Sequence, residues 1–412
     1  MRMSWTSGAL PDPLNQLSIQ RLNIMSLVGF SGSMLYQFTS HIDLRVGSGA
    51  ALQLPAELDA LQVKKPFFVI DPGVEKAGIC QPLLQAFQDA SQPYAVFTDI
   101  ESNPRDSTVH RAFDEARKAS CDGVVGIGGG SAMDAAKGIA LLLTNGGNIA
   151  DYDGINKVEK DLPPVVAIPT TAGTGSEVTA NSALTRSSDH YKMSLRSPRL
   201  LPRLAILDPD LVRSLPRPVA AASGMDALTH AIEGFLSVRA SPVSDLFALE
   251  AMRLISQNIR PFVANPANLN AATQMLLGSM LAGLVISNTG TGNDHALARA
   301  LGGLCDLAHG TATALLLPEV LAFNASARPE RYMQIAQAMG LPAGGNPRDV
   351  AHSVVQEISY LLDELGIPRR LGEVGVLESQ IPDLVQVAAK NVGPNPRRTT
   401  AQDLENILRA VL

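Results

Sequence analysis

Two histidines, His295 and His309, stand fourteen residues apart in the stretch GNDHALARALGGLCDLAHG, and Arg299 follows the first by one helical turn. Upstream, SGMDALTHAIEGFLS sets Asp226 and His230 four apart, on one face of a helix. One carboxylate and three imidazoles offer a divalent transition metal a mixed N/O site with room for a substrate oxygen. Mg²⁺ and Ca²⁺ seek oxygen ligands and would not choose three imidazoles. Singly, each histidine is more often a satisfied structural residue than a ligand. Three of the chain's seven histidines joining an aspartate in apolar helical segments is what points to a metal. Cys305 lies between His295 and His309, but LCDLAH lacks zinc-finger spacing.

A second chemistry is suggested by GGGSAMDAAKGIA, Gly128 to Ala140, which follows the apolar run DGVVGI. Glycines let backbone approach a ligand closely, and a helix N-terminus offers free N–H groups to a pyrophosphate. The pattern is neither G-x-G-x-x-G nor a Walker A sequence, so a ligand-free strand-to-helix turn is the competing reading. Asp71, at the end of another apolar run, could accept from a ribose diol, which favours NAD over NADP. It is equally placed to cap a helix beginning at DPGVEKAG. IPTTAGTGSEVTANSAL, Ile168 to Leu184, reads as a polar loop whose hydroxyls and amides could hold phosphate or ribose.

These groups need a scaffold. PFFVID (Pro66–Asp71), YAVFTD (Tyr94–Asp99), DGVVGIG (Asp122–Gly128), VVAIP (Val165–Pro169) and LAILDP (Leu204–Pro209) read as buried strands. Helical patterns around 77–91 and 104–120 separate the first three, the rhythm of βαβ units and a mainly parallel sheet. After Pro216 the strand signal ends, and helices are expected over 219–237, 243–259, 271–287 and 349–365. The expected organisation is an N-terminal extension over 1–35, an α/β dinucleotide-binding domain over 36–216 and an all-α metal-binding domain over 217–412.

In that order, GGGSxxDxAK, PTTAGTGSE, GxDALTHAIE and HAxAxxLGGxxxxxHG resemble the iron-containing (group III) alcohol dehydrogenase family. The resemblance runs from about Ile42 to the C-terminus and includes NPRRTT at Asn395–Thr400. It implies a dehydroquinate synthase-like architecture with a catalytic metal in the cleft between the two domains. It implies Asp226, His230, His295 and His309 as ligands to Fe²⁺ or Zn²⁺, both of which accept this set. The matching NAD-binding residues are Asp71, Asn103, Gly129, Gly130, Ser131, Thr170, Thr171, Asn181 and Lys192. The implied reaction is hydride transfer between an alcohol or aldehyde carbon and nicotinamide C4. Arg299 is a departure, because family members commonly carry a proton-relay histidine there. Its planar fork suits a carboxylate, phosphonate or sulfonate on the substrate. A pair with Asp294, Asp306 or a cofactor phosphate, beside a plain alcohol substrate, is the other reading. Superfamily alternatives are a metal-free maleylacetate reductase and a dehydroquinate synthase-like lyase.

Composition narrows the field further. The 412 residues are 46% hydrophobic and 17% charged, with a net charge of −6 and no basic concentration of the kind nucleic acid requires. Three cysteines without a CxxC pair suit a reducing compartment, here the cytoplasm. No apolar run reaches about 18 residues without a polar break, so no membrane span is expected. RLNIMSLVGFSGSMLYQF loosely resembles a signal peptide but is broken by Gly and Ser, and is read as part of the extension. Large α/β dehydrogenases self-associate, and a homo-oligomer is expected.

Overall fold

The computed structural model describes residues 36–189 and 191–412; the extension expected over 1–35 lies outside the described residues. Among the described residues the strands are β1 (Asp43–Val46), β2 (Pro66–Ile70), β3 (Ala95–Phe97), β4 (Gly123–Gly128), β5 (Gly154–Ile155), β6 (Val165–Pro169), β7 (Asn181–Thr185), β8 (Lys192–Arg196) and β9 (Leu204–Leu207). The first half also carries helices α1 (Leu54–Ala60), α2 (Pro72–Lys76), α3 (Gln81–Asp89), α4 (Asp106–Lys118) and α5 (Gly130–Asn145). From Arg217 onward only helices occur among the described residues: α6 (Arg217–Leu236), α7 (Pro242–Ala264), α8 (Leu269–Thr289), α9 (Asn293–Leu304), α10 (His309–Asn324), α11 (Pro329–Ala338), α12 (Pro347–Leu365), α13 (Ile381–Ala389) and α14 (Ala401–Ala410), with short 3₁₀ turns between them.

Six strands form an all-parallel sheet in the order β1-β9-β6-β4-β2-β3. Every residue of β2, β4, β6 and β9 is buried, because helices cover both faces of the sheet. The period of two then divides each strand between two cores. Phe67, Val69 and Val124 join the core under α4 and α5, whereas Phe68, Ile70, Val125 and Ile127 join the one under α1 and α3. From β2 the chain first adds β3 on one side and then β4 on the other, so the winding direction reverses between β2 and β4. That reversal opens a crevice beyond the carboxyl ends of β2 and β4, where α/β sheets take ligands.

A feature not expected from sequence is a second sheet, order β5-β8-β7, in which β7 and β8 run antiparallel with Asn181 opposite Arg196 and Thr185 opposite Lys192. The segment expected to be wholly loop therefore ends in a strand. In the helical half, α6, α7 and α8 pack around one apolar core containing Met225, Leu228, Ile255 and Met275. Sixteen of the twenty residues of α6 are buried, which marks it as the central helix. By length and hydropathy α8 could cross a membrane, but 61% of its apolar window is buried within the molecule.

Candidate active site

Helix α6 places Asp226 and His230 one turn apart, and both are almost wholly buried. His295, in the first turn of α9, joins them; ligand atoms from these three residues lie within 4.8 Å of one another. His309 opens α10 and brings its Nε2 to 3.8 Å from Asp226 Oδ1; the Nε2 atoms of His230 and His295 lie 3.9 Å and 3.7 Å from that same oxygen. The rings of His230 and His295 stack with centroids 4.5 Å apart, and His309 meets His295 edge-on at 5.3 Å.

Neighbouring groups dispose of the other ring nitrogens. A carbonyl can only accept, so His230 Nδ1–H donates to Gly173 O at 3.3 Å. His295 Nδ1–H donates to Glu233 Oε2 at 2.7 Å, which leaves its buried Nε2 without a hydrogen-bond partner. Thr313 Oγ1 donates to Asp226 Oδ1 at 3.1 Å. Burial works against the charge of Asp226, but His230, His309, His295 and Thr313 together hold its carboxyl below the ordinary value. Burial drives His295 well below its ordinary value and His309 down to about 3. A buried carboxylate among three imidazoles, with one buried Nε2 orphaned at the centre, fits a divalent transition metal.

The residues expected to cradle a cofactor lie at the crevice between β2 and β4. Asp71 caps α2 through Oδ1, accepting from Gly73 N at 2.8 Å and Val74 N at 3.3 Å. Gly128 adopts φ +155°, and a Cβ there would stand 2.8 Å from both Asp71 Cβ and Ala132 Cβ. Gly129 caps the N-terminus of α5, with Gly130 and Ser131 in its first turn. Thr170 N donates to Gly128 O at 2.9 Å, and the buried Thr171 hydroxyl has no partner. The hydroxyl-bearing loop after β6 is pinned from below by Lys137. Its wholly buried ammonium donates to Ser176 O, Ser176 Oγ, Asn181 O and Thr179 O at 2.7 to 3.1 Å.

A single cleft of about 1510 Å³ joins the two regions. It is lined by Asn103, Gly130, Ser131, Asn181, Lys192 and Arg299 together with all four metal-ligand candidates. Asp71, Gly129, Thr170 and Thr171 are not among the residues that line it. Lys192 Nζ donates to Asn103 Oδ1 at 2.6 Å, and burial pushes its ammonium down to about 8, with Arg299 adding to the effect. Among the described residues Arg299 makes no ion pair, so the pairings considered with Asp294 and Asp306 do not form. Asp294 is fully buried with both oxygens unpartnered, and burial raises its carboxyl well above the ordinary range.

Sequence reasoning missed three groups. Asp134, inside GGGSAMDAAK, accepts from Ser176 Oγ at 2.6 Å and Ala183 N at 2.9 Å. Lys137 stands three residues later in the same motif. Glu233 stands three residues after His230, the i,i+3 spacing that should have flagged a carboxylate beside a ligand face.

The chain was compared with known proteins. Residues 43–209 match the family model described as iron-containing alcohol dehydrogenase, and residues 220–412 match that of the Fe-containing alcohol dehydrogenase family, C-terminal. The 1,3-propanediol dehydrogenase of Citrobacter freundii is 40% identical over 351 residues, spanning 84% of this chain and 91% of the relative. The NAD-dependent methanol dehydrogenase of Bacillus methanolicus is 36% identical over 370 residues, spanning 89% and 97%. The solved structure of sulfoacetaldehyde reductase from Bifidobacterium kashiwanohense in complex with NAD⁺ superposes with a TM-score of 0.82 at 32% identity, covering 92% of this chain and 99% of that one.

Proposed function

This chain belongs to the iron-containing alcohol dehydrogenase family, an NAD-linked oxidoreductase of alcohols and aldehydes, and on that premise we propose that it acts on small substrates carrying an anionic tail held by Arg299. The observation that carries the proposal is the placement of an unpaired guanidinium in the metal-ligand cleft, one turn along α9 from His295. The sulfoacetaldehyde substrate named for one structural relative is consistent with it.

In this reading Asp226, His230, His295 and His309 hold iron. Asp71, Asn103, Gly129, Gly130, Ser131, Thr170, Thr171, Asn181 and Lys192 hold NAD. When bound, iron supplies Lewis acidity toward an alcohol or carbonyl oxygen, and the nicotinamide gives or takes the hydride. The protein's share is positional. Glu233 and Gly173 O fix the Nδ1–H tautomers of His295 and His230, so that both present Nε2 to the same point. Lys137 holds the loop that brings Thr170, Thr171 and Asn181 to the nucleotide. Arg299 stays protonated at any working pH, so its part is to hold an anion and not to shuttle a proton.

The test is NADH oxidation by iron-loaded protein with butanal, succinic semialdehyde and phosphonoacetaldehyde, for wild type and Arg299→Ala. A charge-assisted hydrogen bond contributes about 1.5–3 kcal/mol, so kcat/KM on the charged aldehydes should fall about 10- to 150-fold more than on butanal. Equal losses on all three would make Arg299 a structural or cofactor residue and the enzyme a plain primary-alcohol dehydrogenase.

A further inference from the structure

Strand β8 alternates, so Lys192, Ser194 and Arg196 share one face, and all three line the cleft that holds the metal-ligand candidates. Ser194 Oγ donates to Asn181 Oδ1 at 2.7 Å, which ties this face of the hairpin to β7. The Arg196 backbone is held by Asn156 N donating to its carbonyl at 2.7 Å, while its side chain is exposed into the cleft. Among the described residues neither Arg196 nor Arg299 makes a salt bridge or a side-chain hydrogen bond. Arg199, three residues further along, pairs with Asp161 at 2.9 Å, and Arg331, Arg260 and Arg253 also find carboxylates, while Arg203 and Arg239, elsewhere on the cleft wall, make no salt bridge among the described residues. Two like charges facing one cleft, neither of them in an ion pair, repel, and an anion between them relieves that repulsion.

We infer that Arg196 is the second arm of the anion clamp, so that the substrate's tail is gripped between a guanidinium from the β7–β8 hairpin and one from α9. The inference rests on the reading of Arg299 given above. A supporting sign is that, after burial, the charge of Arg196 is what most depresses the Arg299 guanidinium, outweighing the opposing carboxylate of Glu233. The ligand class is a short aldehyde or alcohol whose far end is a carboxylate, sulfonate or phosphonate. Lys192 is left to the nucleotide side, since its ammonium is already engaged by Asn103.

The experiment measures the ratio of kcat/KM on phosphonoacetaldehyde and succinic semialdehyde to that on butanal, using iron-loaded protein and NADH. Variants are Arg196→Ala, Arg196→Lys, Arg299→Ala and, as a control for the general field of the rim, Arg199→Ala. Binding of phosphonoacetate to the enzyme–NAD⁺ complex, read by calorimetry, gives an independent measure that does not involve turnover. Arg196→Ala is expected to lower the ratio about 10- to 100-fold and to weaken phosphonoacetate similarly, with partial recovery in Arg196→Lys and no change of ratio in Arg199→Ala. A ratio within twofold of wild type in Arg196→Ala, alongside a lowered one in Arg299→Ala, overturns the second arm and leaves the Arg299 reading standing. Unchanged ratios in both variants overturn the two readings together.

Discussion

Replacing Glu233 by Gln removes one acceptor from a group that serves three donors. Its carboxylate takes His295 Nδ1–H at 2.7 Å on Oε2, Asp294 N–H at 2.8 Å on Oε1, and the backbone N–H of Gly292. An amide of the same shape has a single oxygen and two N–H donors. If the oxygen faces His295, the NH₂ group confronts the backbone N–H groups of the first turn of α9. If it faces the backbone, the NH₂ group confronts His295 Nδ1–H, and the ring escapes only by moving its proton to Nε2, the nitrogen turned toward Asp226. Either arrangement leaves a buried donor unmatched, at about 1–3 kcal/mol. Where the loss falls on His295 it appears as about 10- to 100-fold weaker metal binding. The assay is anaerobic competition for Fe²⁺ against a chromophoric chelator, with the thermal midpoint of the metal-free variant recorded alongside. Metal affinity within twofold of wild type, in a variant whose metal-free form melts normally, would refute the positioning argument.

Lys192 carries its charge below about pH 8 and loses it above, because burial depresses an ammonium whose ordinary value is 10.5. NADH affinity, followed by fluorescence titration, should therefore weaken as pH rises through 8 in wild type and be flat there in Lys192→Met. Lys137→Met strands the buried carbonyls of Ser176 and Thr179 and the half-buried one of Asn181, and should cost about 3 kcal/mol or more in urea unfolding as well as weakening NADH. Gly310→Ala puts a Cβ 2.6 Å from Ala222 O, forcing α10 away from α6 beside His309, and should destabilise by about 1–3 kcal/mol and weaken metal binding.

The parts of this molecule that show in the sequence are those whose fate is decided locally. The runs PFFVI, GVVGIG and VVAIP are apolar on both faces and have few options besides a covered parallel strand. Asp226 and His230 share a helical face whatever surrounds them. The β7–β8 hairpin is different. NSALT alternates in burial only because KMSLR lies across from it, and neither segment is apolar enough to announce a strand alone. Arg196 was invisible for the same reason, since its place in the cleft depends on that pairing. The spacing puts Glu233 near the ligand face of α6, but its partner is fixed only when α9, sixty residues later, brings His295 onto it. Asp71 was readable two ways, and the helix cap claims its Oδ1. The metal-site reading benefited from rarity, since histidine is scarce in this chain.

Gly173 belongs to the loop that follows β6, yet its carbonyl sets the proton of a metal-ligand candidate on α6. The same loop is wedged against the helical half at two glycines: a Cβ on Gly173 would stand 2.5 Å from Ser223 O, and one on Gly175 2.5 Å from Gly283 Cα. Close contacts therefore run without a break from this loop to the imidazole of His230. With nucleotide held by this loop as proposed, occupancy of one site is expected to alter the free energy of the other, and linkage makes that effect reciprocal: whatever factor the nucleotide applies to metal affinity, the metal applies to nucleotide affinity. A dissociation constant for either is then expected to depend on the occupancy of the other, and is defined only when that occupancy is stated.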